Sequence, residues 1–154
     1  MTLPNKSEIR NFCLNHVDAM IAEYEGSILE LQKGMFEETK SSAGDKYETS
    51  RTQFQREIER LKTQISSVHT TKATLLILND APSVTASEGS LLLISLGTTK
   101  MMIYIGAALG NLKYQGQSIQ IISAQSPLAI ALKGKTQGSE ISFNQKKYKI
   151  ELLA

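Results

Sequence analysis

Tyr47, Phe54, Leu61, Val68 and Leu75 recur at every seventh residue, and Arg51, Ile58, Ile65 and Lys72 fall four after the first four of them. A heptad spacing held that long keeps one stripe facing a partner helix in a left-handed coiled coil. Arg51 and Lys72 are the charged positions of the seam, able to reach outward on their aliphatic stems. The preceding segment supplies a partner of matching length. Ile9, Cys13, Val17, Met20, Tyr24, Ile28, Leu31 and Met35 step by threes and fours along one face, widened by Phe12 and Ile21. Gly26 and Gly34 lower its intrinsic propensity by ~1 kcal/mol each against alanine, so this helix needs packing to hold it. Between the two patterns lies the polar run Glu37–Glu48, with Gly44 near its centre. The spacing predicts an antiparallel coiled-coil hairpin over residues 1–79 with its tip near 40–48. Helices of about 33 residues at ~1.5 Å each reach about 50 Å, more than a compact domain of this size needs. Such an arm suits reaching a partner. Heptads alone also allow pairing with a second chain; the matched helix lengths favour the hairpin, and a monomer over a dimer.

Asn79-Asp80-Ala81-Pro82-Ser83 ends the second helix, and strand signals replace the helical period from residue 89. Ser90–Leu96 and Lys100–Ile105 read as strands around the turn Gly97-Thr98-Thr99. Gly106, Gly110 and Gly116 punctuate a loop, and Ser118–Ile122 reads as the next strand. A short helix follows, with Ser126 as N-cap, Pro127 at its first position and Gly134 as its stop. Two closing strands, Glu140–Phe143 and Lys147–Leu152, flank the turn Asn144-Gln145. Residues 80–154 are therefore expected to form a small α+β domain on an antiparallel sheet.

Composition narrows the function. Apolar residues make up 41% of the 154 and charged residues 21%, ordinary for a globular chain. No apolar run approaches the ~20 residues of a membrane helix, and the start Met1–Lys6 lacks the core of a secretion signal. One cysteine, Cys13, excludes an internal disulfide and fits a reducing cytoplasm. The net charge of +2 divides into −1 over residues 1–79 and +3 over residues 80–154, the latter without arginine. That is far from a nucleic-acid footprint and argues against a sequence-specific DNA reader.

The run Ser126-Pro127-Leu128-Ala129-Ile130-Ala131-Leu132-Lys133-Gly134-Lys135, followed by Gly138-Ser139-Glu140-Ile141 and Tyr148-Lys149-Ile150, resembles bacterial Gre-type transcription elongation factors. The tip Gly44-Asp45 with Glu48 three residues on is similar to that family's Gly-Asp-x-x-Glu. The architecture of hairpin first and sheet second agrees over nearly the whole chain. Two features depart from the pattern: Lys46 stands where the family usually has leucine, and Glu48-Thr49-Ser50-Arg51 replaces its Glu-Asn-Ala-Glu-Tyr run. The resemblance implies a prolyl-isomerase-like (FKBP-like) second domain and a bacterial, cytoplasmic partner, RNA polymerase, whose channel the hairpin enters. It implies no enzyme in its own right, but a factor promoting the polymerase's cleavage of backtracked RNA. DksA-like and anti-cleavage relatives use similar arms without cleavage.

Asp45 and Glu48 therefore carry two readings. Asp at an N-cap with Glu at the third helical position is a capping box, contributing ~1 kcal/mol to the start of the second helix. The same pair matches the family's metal-recruiting acids: Mg²⁺ is commonly held by one or two carboxylates completed by waters and phosphate oxygens. The shared ion would then be completed by the polymerase, with none held by the isolated chain. Lys40, Lys46 and Arg51 surround the tip, either as solubilising charge or as contacts to an RNA 3′ end or channel wall, Arg51 having the fork that pairs with phosphate. Cys13, His16 and His69 lack a fourth ligand at a recognised spacing and are not assigned to a metal.

Overall fold

A computed structural model describes residues 2–41 and 45–154, with side chains described outside 39–41 and 45–47. In chain order the elements are α1 (Lys6–Ser41), α2 (Asp45–Leu76), β1 (Leu91–Leu96), β2 (Thr99–Ile105), β3 (Gly110–Tyr114), β4 (Gln117–Ile122), α3 (Pro127–Leu132), β5 (Glu140–Phe143) and β6 (Lys146–Leu153). The α+β class with two long helices before a sheet is thus present. The chain divides into two compact units, Asn15–Lys72 and Met1–Leu14 together with Ala73–Ala154.

Within Asn15–Lys72 the helices run antiparallel. Lys72 Nζ donates to Asp18 Oδ1 at 2.7 Å. At the other end, a Cβ added to Gly34 would lie 3.4 Å from the Phe54 ring. Residue sums near ninety at both places fix the register. Val17, Ile21, Ile58, Leu61 and Val68 form the buried seam, as their heptad and three–four spacing requires. Arg51 stays exposed, while Lys72 is half-buried against Asp18.

In the other unit α1 starts at Lys6. The Asn5 side chain accepts from the Ser7 N–H at 2.9 Å and from its hydroxyl at 2.8 Å, the role of a helix cap. The first two turns then grip the segment after α2. Lys6 Nζ donates to the Ala81 carbonyl at 2.7 Å, and Arg10 donates to the Leu78 carbonyl at 2.8 Å while pairing with Asp80 at 2.6 Å. Charged donors satisfying two carbonyls of an irregular segment replace the ladder bonds that the segment lacks.

The six strands form one sheet in the order β3-β4-β2-β1-β6-β5. Four of its five pairings are antiparallel; β2 and β4 run parallel, with Tyr104 opposite Ile121. The alternation of side chains gives two apolar faces. One carries Leu92, Ile94, Ile103, Ile105, Ile122 and Ile150 under Ala129 and Leu132 of α3. The other carries Leu91, Leu93, Met102, Tyr104, Ile119 and Ile121, all buried. A bulge beside Leu93 and Ile94 places Leu153 and Ile150 of β6, three apart, on the α3 face together. The α3 prediction holds in detail: the Ser126 hydroxyl accepts from the Ala129 N–H at 3.3 Å, with Pro127 beginning the helix and Gly134 at φ +76° after it.

Two expectations need correction. Residues 110–114 form edge strand β3 instead of a loop, and the sheet contains one parallel pair. The glycines at 110 and 116 mark the ends of a short strand half open to solvent, a pattern that is weak in sequence.

Candidate functional site

The tip of the hairpin is built by the first turns of α2. Its backbone begins at Asp45, so the two acids singled out in the sequence fall on consecutive turns of one helix start. The side chains of Asp45, Lys40 and Lys46 lie outside the described residues, and whether Asp45 closes the predicted capping box lies there with them. Glu48 is described: its carboxylate side is exposed, and its carbonyl accepts the Thr52 hydroxyl at 2.9 Å. Arg51 is exposed on the next position round the helix. Glu48, Thr49, Thr52, Gln53 and Arg56 bound a shallow polar surface on α2.

An exposed carboxylate at a helix start has two physical properties that matter. It sits where the positive end of the helix dipole suits a negative charge. It is also unburied, so it keeps lone pairs for an incoming ligand. A hard divalent cation needs about six oxygens, more than one or two tip carboxylates supply. Glu48 fits as a contributor to such an ion, with the remaining oxygens coming from a partner site. Among the described residues no group of three or more His, Cys, Asp or Glu side chains is gathered to hold a metal. That includes Cys13, His16 and His69. Cys13 is fully buried, and burial pushes its thiol up to about 12, so it is neither a ligand nor a nucleophile at neutral pH.

The sequence reading missed Lys6, Arg10 and Asp80. Their pairing joins positions about seventy residues apart, and nothing local in the chain marks it. It also missed the polar link from the Tyr114 hydroxyl to Glu8 Oε2 at 3.0 Å, beside an edge-to-face contact of Phe12 with Tyr114 at 5.2 Å between ring centroids. Both clusters tie the start of α1 into its unit. Among the described residues no helix is long and apolar enough to cross a membrane.

No sequence-family profile matches the chain, and no curated protein sequence matches it. Solved structures do. The GreA factor homolog 1 (Gfh1) protein of Thermus thermophilus is similar at 16% identity and a TM-score of 0.38, over 92% of this chain and 94% of that one. A further structure of the transcription factor Gfh1 is similar at 16% identity and a TM-score of 0.37, over 91% and 92% of the two chains. Gfh1 of Thermus aquaticus is similar at 15% identity and 0.36, over 90% and 92%. The structures to which this chain is similar are thus of a homologue of the Gre factors, the family that its Ser126–Ile150 motifs resemble.

Proposed function

We propose that the chain is a Gre-like accessory factor of a bacterial RNA polymerase, acting in the cytoplasm. The sheet unit docks on the polymerase and the hairpin enters the channel leading to its catalytic centre. The observation that carries this reading is the antiparallel pairing of a 36-residue and a 32-residue helix that leaves Glu48 exposed in the opening turns of the second. Asp45 and Glu48 add carboxylate oxygens to a Mg²⁺ ion shared with the polymerase. Bound there, the ion supplies an activated water against the RNA phosphodiester. The chain's own residues bind, position and lend charge: Lys40, Lys46 and Arg51 steady the RNA 3′ end or the channel wall. The polymerase remains the enzyme.

The test is transcript cleavage in stalled elongation complexes. The wild-type chain is expected to stimulate cleavage in a Mg²⁺-dependent way, and Asp45→Ala with Glu48→Ala to abolish the stimulation while polymerase binding persists. Unchanged cleavage with the wild-type chain, or full stimulation by the double variant, sinks the mechanism.

A second reading rests on Lys46 and the run Thr49-Ser50-Arg51, which differ from the family's tip. They put two cations and two hydroxyls where the family has leucine, asparagine, alanine and glutamate. On this reading the chain occupies the channel as a regulator without cleavage. Pull-down with polymerase, together with altered initiation or elongation and no cleavage, selects it. A coiled-coil adaptor unrelated to transcription predicts no polymerase capture at all.

A further inference from the structure

One flank of the hairpin seam is left open. Val17, Ile21, Ile58, Leu61 and Val68 are buried in the seam, but Tyr24, Leu31 and Phe54 are only half-buried. Two depressions, of about 450 and 300 Å³, lie over these residues. Both are lined by Leu31 and Glu57, so they form one continuous groove between α1 and α2. Its floor is apolar: Tyr24, Leu31, Leu61 and Phe54. Its α1 rim carries Glu23 and Glu30, seven residues apart and both exposed. The α2 rim carries Glu57, and Arg60 there is already committed to Glu57 through both carboxylate oxygens. The groove therefore has an apolar floor and, at Glu23 and Glu30, an exposed acidic rim whose neighbouring cation, Arg60, is already paired with Glu57. From Glu23 to Glu38 it runs for about 22 Å at ~1.5 Å per residue, the length of roughly four helical turns.

We propose that this groove seats a basic amphipathic helix of another protein, as a third helix laid along the seam. Apolar side chains spaced by threes and fours on that helix would cover Tyr24, Leu31 and Phe54, the helix-in-groove mode of recognition. Lysines or arginines flanking that stripe, about seven residues apart, would meet Glu23 and Glu30, as charges beside a coiled-coil seam select partners. An acidic helix is repelled by the same rim, a neutral one gains nothing from it, and a second copy of α1, itself acidic, is a poor occupant. The groove uses neither the tip acids nor the sheet unit, so the proposal stands or falls separately from transcript cleavage.

The probe is a synthetic 18-residue peptide of leucine and lysine, with leucines at helical three–four spacing, titrated into the full-length chain at low and at moderate salt. Saturable one-to-one binding is expected, with amide shift changes confined to the groove-lining stretches of α1 and α2 and affinity falling as salt rises. Glu23→Gln with Glu30→Gln is expected to weaken binding at least ~5-fold, since both charge pairs at the rim are lost. Both side chains are exposed, so the variant keeps its fold, which circular dichroism checks. Equal affinity in the double variant overturns the proposal. So does equal affinity for a peptide of the same composition with scrambled order, or shift changes centred elsewhere. Concentration-dependent dimerisation in sedimentation that the peptide cannot compete away also overturns it, because the groove is then covered by a second copy.

Discussion

Cys13 and Gly106 show how much a single position settles. The three–four pattern places Cys13 on the apolar stripe of α1, and there it is fully buried, its thiol raised to about 12. The thiolate is the reactive form, so the folded protein should be nearly inert to Ellman's reagent at pH 8, at least ~100-fold slower than in denaturant, where the pKa returns to ~8.5. The sign of the linkage follows. The folded state holds the proton more tightly than the unfolded state, so this contribution is fully present below the unfolded value and is lost as pH rises towards about 12. Urea midpoints measured at pH 8 and 10.5 should fall with pH, and fall less in Cys13→Ala; an unchanged pH slope would contradict the assignment. Gly106 was legible only as a glycine. Its neighbours show its purpose: a Cβ there would come within 3.0 Å of both Leu78 Cδ1 and Tyr104 Cε1, and 3.4 Å of Leu75. Tyr104 is fully buried and cannot move freely. Gly106→Ala should therefore destabilise the chain by ~1–3 kcal/mol, the cost of overpacking, readable as a lower thermal midpoint. No sequence pattern distinguishes a glycine of close approach from one that merely ends a strand.

Among the elements, legibility followed the number of residues sharing one pattern. Seam positions recurring from 47 to 75 and the stripe from 9 to 35 outweigh local propensity, and both helices were readable with their antiparallel register. α3 was readable from three residues, because Ser126, Pro127 and Gly134 each do a job that other residue types do poorly. β3 was not readable: in Gly110-Asn111-Leu112-Lys113-Tyr114 only Leu112 and Tyr114 turn inward, and an edge strand asks for no more. Its parallel neighbour relation could not be read either, since register between β2 and β4 is set by the buried pairs Met102–Ile119 and Tyr104–Ile121, which local sequence does not connect. The turns carry a prediction at this scale. Asn144 and Gln145 both have positive φ, 50° and 64°, between Phe143 and Lys146 paired across the strands. This is a two-residue loop of the kind that favours Asn then Gly, so Asn144 is well placed and Gln145 is strained. Gln145→Gly should stabilise the β5–β6 hairpin by ~1 kcal/mol, the penalty of a left-handed non-glycine residue. A raised thermal midpoint of about that size checks it. In α1 the logic inverts. A Cβ at Gly26 would meet nothing within 4 Å, so Gly26→Ala should raise stability by ~0.5–1 kcal/mol through helix propensity alone.

For the molecule as a whole, the two roles open to its acidic tip, cap and ligand, predict different responses to the same isosteric change. Asparagine caps a helix about as well as aspartate, because capping needs an acceptor oxygen and not a full charge. A Mg²⁺ ion needs the charge. Asp45→Asn with Glu48→Gln therefore preserves the geometry of the helix start and removes both carboxylates. Glu48 is exposed, and substitutions at such positions usually change stability by less than ~0.5 kcal/mol, so the variant should melt near the wild type. If the pair only caps α2, this variant should behave as wild type in every assay with polymerase. If the pair serves the shared ion, transcript cleavage in stalled complexes should fall more than ~100-fold, the loss expected when charge stabilising a transition state is withdrawn. Polymerase binding should persist, because the variant leaves the sheet unit and the seam untouched. Raising Mg²⁺ should recover part of the lost cleavage, since a weakened site still fills by mass action. Cleavage retained at wild-type rate assigns the tip to structure alone and leaves the channel-occupying regulator as the function.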